Sequence, residues 1–103
     1  TPAGDAVIHG DLRIDLAGHR AFVQDVEVPL TATEFKLLHA LASRPGRVLS
    51  RGQLLQDVWD MPPDINTRTV DTHVKRLREK LGTASVHLET VRGVGYRFNA
   101  KPR

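Results

Sequence analysis

Four apolar residues constrain this chain more than any other feature. Val70, Val74, Leu77 and Leu81 fall at i, i+4, i+7 and i+11. A helix turns about 100° per residue, so the four share one stripe. Thr69, Thr72, His73 and Arg76 fall at i, i+3, i+4 and i+7 and form a second stripe pointing away from the first. Arg68, Lys75, Arg78 and Lys80 flank it. Such a helix buries one side against other elements and presents a polar, basic side outward. The spacing predicts it from Asn66 or Thr67 to Leu81, with Gly82 as its stop.

Two more helices precede it. Thr31 stands three residues before Glu34, a capping-box pattern, and Phe35, Leu38 and Ala42 recur at helical spacing, with Leu37 and Leu41 widening the stripe. Pro45-Gly46 ends this helix. Arg47-Val48-Leu49 reads as a short extended connector. Ser50 with Gln53 gives a second capping box. The helix it opens buries Leu54, Leu55 and Val58 and ends at Trp59. Met61-Pro62-Pro63-Asp64 cannot continue a helix and reads as a loop.

The first thirty residues read as strands. Val7-Ile8-His9, Leu12 to Leu16, Arg20 to Val23 and Val26 to Leu30 are the candidates. Leu12, Ile14 and Leu16 alternate with Arg13 and Asp15. Ala17-Gly18 and Gln24-Asp25 supply turns, the type of the second being open, and the sum is an antiparallel meander. At the other end, His87 to Val91 and Tyr96 to Phe98 flank Arg92-Gly93-Val94-Gly95, a hairpin. Its glycines allow close backbone approach at a mobile tip. Helix, helix, helix, hairpin is the order of a winged helix-turn-helix, an α+β fold. The 103 residues suit one domain: residues 1–6 as linker remnant, 7–99 as domain and 100–103 as tail.

Charge is uneven. Residues 1–65 carry 6 Lys/Arg against 9 Asp/Glu, and residues 66–103 carry 9 against 3. The net +3 of the chain therefore sits in its last third, as expected of a surface that meets a polyanion. The outward stripe suits a groove floor. Arg can take the guanine O6/N7 edge with two hydrogen bonds, Thr offers a hydroxyl or a methyl, and His bonds either way. Flanking cations suit phosphates. Arg92 on a protruding tip suits a narrow minor groove. A charged helix face also serves plain solubility, an ordinary hairpin also exposes an Arg, and Tyr96 and Phe98 share a strand face that suits a core.

Other functions find little support. There is no Cys, which excludes disulfides and thiolate metal sites. His9, His19, His39, His73 and His87 show no ligand spacing. Ser43, Ser50 and Ser85 lack a nucleophile-elbow context, and no Gly-rich phosphate loop is present. No catalytic residue, metal or cofactor is expected. No apolar run approaches the ~20 residues that span a bilayer. A protein-interaction module remains the rival to a DNA binder.

The chain resembles the OmpR/PhoB-type winged-helix output domain of bacterial two-component response regulators over about residues 7–98. The resemblance rests on Leu30-Thr31-Ala32-Thr33-Glu34-Phe35-Lys36-Leu37-Leu38 and on Val48-Leu49-Ser50-Arg51 with Leu54-Leu55 and Val58-Trp59. Arg68-Thr69-Val70-Asp71-Thr72-His73-Val74, Arg76-Leu77-Arg78 and Thr90-Val91-Arg92-Gly93-Val94-Gly95-Tyr96 complete it. It implies a four-stranded N-terminal sheet, three helices and a C-terminal wing, with the Val48-Leu49 connector paired beside the wing. It implies base contacts from Thr69, Thr72, His73 and Arg76, with Arg92 in the minor groove. Phosphate contacts fall on Trp59, Arg68, Lys75, Arg78, Thr90 and Tyr96. The loop Asp60, Met61, Pro62, Pro63, Asp64 and Ile65 becomes a possible RNA polymerase contact. Homodimers on direct-repeat half-sites, an N-terminal receiver domain phosphorylated on an aspartate, and a cytoplasmic location are implied likewise. Gln24-Asp25 departs from the Asn-Gly-like pair common in that turn.

Overall fold

The computed structural model describes residues 6–64 and 66–100. Four short strands, β1 (Ala6–His9), β2 (Leu12–Asp15), β3 (Arg20–Val23) and β4 (Val26–Val28), form an antiparallel sheet in sequence order. Period-2 alternation puts Leu12 and Ile14 on the covered face, both no more than 1% exposed. Strand β4 stops before Pro29, which has no N–H to donate, so it is shorter than the run to Leu30 suggested. The β3–β4 turn takes a definite form: Gln24 and Asp25 have φ of 51° and 64°, the pattern of a type I′ hairpin. Asp11 supports it, its carbonyl accepting from the Gln24 N–H at 3.0 Å.

Helix α1 (Ala32–Ala42) has the expected capping box: Glu34 N–H donates to the Thr31 hydroxyl and Thr31 N–H to the Glu34 carboxylate. Helix α2 (Arg51–Trp59) has only half of one. Ser50 Oγ accepts from Gln53 N–H, but the Gln53 side chain donates to Asp57 one turn on. An acceptor at i+4 on the same helix face outcompetes the cap. Helix α3 (Arg68–Leu81) begins directly after Thr67, which already has helical backbone and makes no side-chain cap. Its stripe is in place: Val70, Val74, Leu77 and Leu81 are buried against Leu37, Leu38 and Leu41 of α1 and Leu54 and Leu55 of α2 in one core.

After Gly82 the chain makes a 3₁₀ segment, Gly82–His87, which no sequence pattern indicated, so the next strand begins at Leu88 rather than His87. His87 is buried there, its ring stacked on Phe98 and Nδ1 donating to the Asn99 carbonyl at 2.6 Å. Strands β6 (Leu88–Val91) and β7 (Gly95–Phe98) form the hairpin, and β5 (Val48–Ser50) joins it in the order β5-β7-β6. Thus the connector does pair beside the wing, Leu49 opposite Tyr96. Gly93 turns the tip with φ 76°. Gly95 answers a different need. A Cβ there would lie 2.0 Å from the Leu49 carbonyl oxygen, so its close approach is to strand β5.

Candidate nucleic-acid interface

The outward stripe of α3 is where its spacing placed it. Thr72 and Arg76 are exposed, and Thr69 and His73 are half-buried. Helix geometry alone achieves this, since the opposite stripe is fixed in the core. The His73 ring is oriented from two sides. Its Nδ1 lies 2.8 Å from the Thr69 carbonyl, and the Trp59 ring meets it edge-on at 4.9 Å. A carbonyl only accepts, so Nδ1 carries the proton and a neutral ring keeps its lone pair on Nε2. Such a ring can accept a hydrogen bond at Nε2. Thr72 donates to the Arg68 carbonyl at 3.1 Å, which commits its hydroxyl proton to the helix.

The flanking cations divide. Arg68 and Lys75 are exposed. Lys80 instead reaches across to α1, where its ammonium lies 2.7 Å from Glu34. Burial pushes the Glu34 carboxyl up, but Lys80, the Thr31 N–H and the Thr31 hydroxyl outweigh it and hold the group below its ordinary range. Arg78 is half-buried. Its Nε and Nη2 donate to the Leu88 carbonyl at 3.2 and 2.8 Å, and Nη2 donates to the Thr90 hydroxyl at 2.7 Å.

Tyr96 is only 5% exposed. Its hydroxyl donates to Asp71 Oδ1 at 2.5 Å. Burial raises its pKa, and the neighbouring carboxylate raises it further. The single hydroxyl proton is thus committed within the protein, and a phosphate contact from Tyr96 requires that bond to open. Asp71 also takes the Arg51 Nε at 2.7 Å. No sequence pattern assigned a role to Arg51, which begins α2, or to Asp71. A tyrosine among core residues, whose hydroxyl needs a partner, was the available signal.

At the wing tip Arg92, Gly93 and Val94 are exposed, Val94 at 53%. In the α2–α3 loop Asp60, Met61, Pro62, Pro63 and Asp64 are exposed, and Ile65 lies outside the described residues. The loop folds back on α2: a Cβ on Gly52 would sit 2.7 Å from the Pro63 carbonyl oxygen. Among the described residues no His, Cys, Asp or Glu group could hold a metal ion, and no helix is long and apolar enough to cross a membrane.

Comparison with known proteins agrees with this architecture. The profile of the family described as "Transcriptional regulatory protein, C terminal" matches residues 25–98. The transcriptional regulatory protein SrrA of Staphylococcus aureus (strain NCTC 8325 / PS 47) is 46% identical over 103 residues, covering 96% of this chain and 43% of SrrA. The RstA DNA-binding domain of Klebsiella pneumoniae, solved in complex with the RstA box, superposes with a TM-score of 0.84 at 31% identity, covering 92% of this chain and 97% of that one. DrrB of Thermotoga maritima, described as an OmpR/PhoB homolog, gives 0.83 at 34% identity, covering 92% of this chain and 44% of DrrB. The chain therefore spans less than half the length of SrrA and DrrB. It belongs to the family of transcriptional regulatory protein C-terminal domains, the OmpR/PhoB-type effector domains of response regulators.

Proposed function

We propose that this chain binds double-stranded DNA in a sequence-specific manner and controls transcription as the output domain of a response regulator. One observation carries the reading. An outward stripe with exposed Thr72 and Arg76 lies on a helix hydrogen-bonded through Arg78 to a hairpin whose tip exposes Arg92. That pairs a groove-filling helix with a basic tip, and the RstA neighbour was solved on its own DNA box. Thr69, Thr72, His73 and Arg76 read bases in the major groove, and Arg92 enters the minor groove. Arg68 and Lys75 hold phosphates, and Trp59, Arg78, Thr90 and Tyr96 lie along the same backbone path. Arg78 Nη1 and the Thr90 hydroxyl proton are the atoms of that pair directed to phosphate. Homodimeric binding to direct-repeat half-sites, an N-terminal receiver domain, an RNA polymerase contact at residues 60–65 and a bacterial cytoplasm complete the proposal.

Selection of bound sequences from a random DNA pool defines the site. On that site Arg76→Ala costs about 1–3 kcal/mol and relaxes preference at one base pair, the range for a bidentate base contact. Lys75→Ala weakens all sequences alike. Equal losses on all DNA for both variants refute the base-reading role of Arg76. No affinity for any duplex at low salt refutes the DNA reading and favours a protein-interaction module.

A further inference from the structure

We infer that Asp71 and Arg78 are positioning residues that clasp the wing to α3 at two points, so that the helix and the wing tip engage DNA as one rigid unit. The inference rests on the DNA-binding reading. The first point is Asp71 Oδ1 in the first turn of α3. It receives the Tyr96 hydroxyl from β7 and the Arg51 Nε from α2, at 2.5 and 2.7 Å. The second is Arg78, seven residues on, about two turns and ~10 Å along the same helix face. Its guanidinium holds the Leu88 carbonyl and the Thr90 hydroxyl of β6, and lies 5.7 Å over the Tyr96 ring.

The geometry of the sheet explains why Leu88 is available. Strand β6 is an edge strand. The His87 carbonyl faces inward to accept from Asn99 N–H, so the next carbonyl, that of Leu88, faces outward without a ladder partner. Arg78 occupies that position. Strand β7 is paired with β5, and Leu88, Tyr96 and Phe98 sit in the core, so the base of the hairpin is already held; the two contacts on α3 brace it further toward the tip.

Both side chains of the Arg51–Asp71 pair are about two-fifths exposed, at 42% and 40%. Such pairs add little to overall stability. The consequence of the clasp is orientation. Binding by the helix then delivers Arg92 to the neighbouring groove as an intramolecular step, with the ordering already done in the free protein.

The test uses Asp71→Ala and Asp71→Ala/Arg78→Met, with Asp71→Asn as the conservative variant that keeps the accepting oxygen. Residual dipolar couplings of the free protein report the orientation of the wing tip, residues 90–94, relative to α3. The clasp predicts orientational averaging of the wing tip in the Ala variants, restored order in Asp71→Asn, and little change in melting temperature. Couplings that still fit the parent orientation in the double variant overturn it. Should the double variant not fold, Asp71→Ala alone decides by the same measurement. On DNA, Arg92→Ala is expected to lower affinity about tenfold in the parent and less than about twofold in the double variant. An equal Arg92 loss in both backgrounds overturns the clasp. No Arg92 loss in the parent refutes the minor-groove reading, and the dipolar couplings then decide the clasp independently.

Discussion

Glu34 shows how much one buried side chain can hold. It is 3% exposed, closes the capping box of α1 and receives the Lys80 ammonium from 46 residues away. The pairing keeps its carboxyl below its ordinary range in the folded state. The folded protein therefore binds fewer protons at this site than the unfolded chain. The stability this gives is present above the ordinary carboxyl pKa of 4.5 and is lost as pH falls through the folded value. Glu34→Gln keeps a cap acceptor and removes the charge. Thermal unfolding should show Glu34→Gln less stable than the parent at about pH 7, by about 1 kcal/mol, with the gap closing as the solution is acidified below the carboxyl range. A gap that stays constant with pH refutes the account. The Thr31–Glu34 box was legible because capping is local. Lys80 was read as one of the cations suited to phosphate, because nothing local shows that the start of α1 lies beside the end of α3.

Among the elements, the helix stripes were legible and the wing only in part. Phe35, Leu37, Leu38, Leu41 and Ala42 are all buried as their spacing required, since a helix fixes which residues share a face. The 3₁₀ segment and the later start of β6 escaped because Gly82 ends α3 without specifying the backbone of the residues after it. The role of Gly95 depends on strand β5 lying against it. With a Cβ 2.0 Å from the Leu49 carbonyl, Gly95→Ala must push β5 and β7 apart. The expected loss is about 2–3 kcal/mol, in the overpacking range, read by urea unfolding. Gly93→Ala meets no atom within 4 Å and carries only the left-handed backbone penalty, about 1–2 kcal/mol. A larger loss at Gly93 than at Gly95 refutes this assignment of roles.

For the whole molecule the governing quantity is the charge carried by the last third of the chain. Residues 66–103 hold 9 of the 15 Lys/Arg residues. Lys80 is paired with Glu34 and Arg97 with Glu89, so these two cations are partly neutralised. Exposed Arg68, Lys75, Arg76 and Arg92 remain for a polyanion. Affinity for duplex DNA should fall linearly in log–log form with salt, each neutralised phosphate contributing about −0.9 to the slope. Lys75→Ala should make the slope shallower by about 1. Lys80→Met should leave it unchanged, and a slope change for Lys80→Met equal to that for Lys75→Ala contradicts this division of the cations.

The sequence alone determined the order of the helices and strands, the buried stripe of α3 and the outward set Thr69, Thr72, His73 and Arg76. Periodicity decides these, because backbone geometry dictates side-chain direction within one helix or strand. Tertiary structure alone decided which polar groups remain for a partner. Tyr96 and Asp71 lie 25 residues apart, Arg78 and Leu88 10, and Lys80 and Glu34 46. No local pattern encodes those meetings, and each commits donors that the sequence by itself left open.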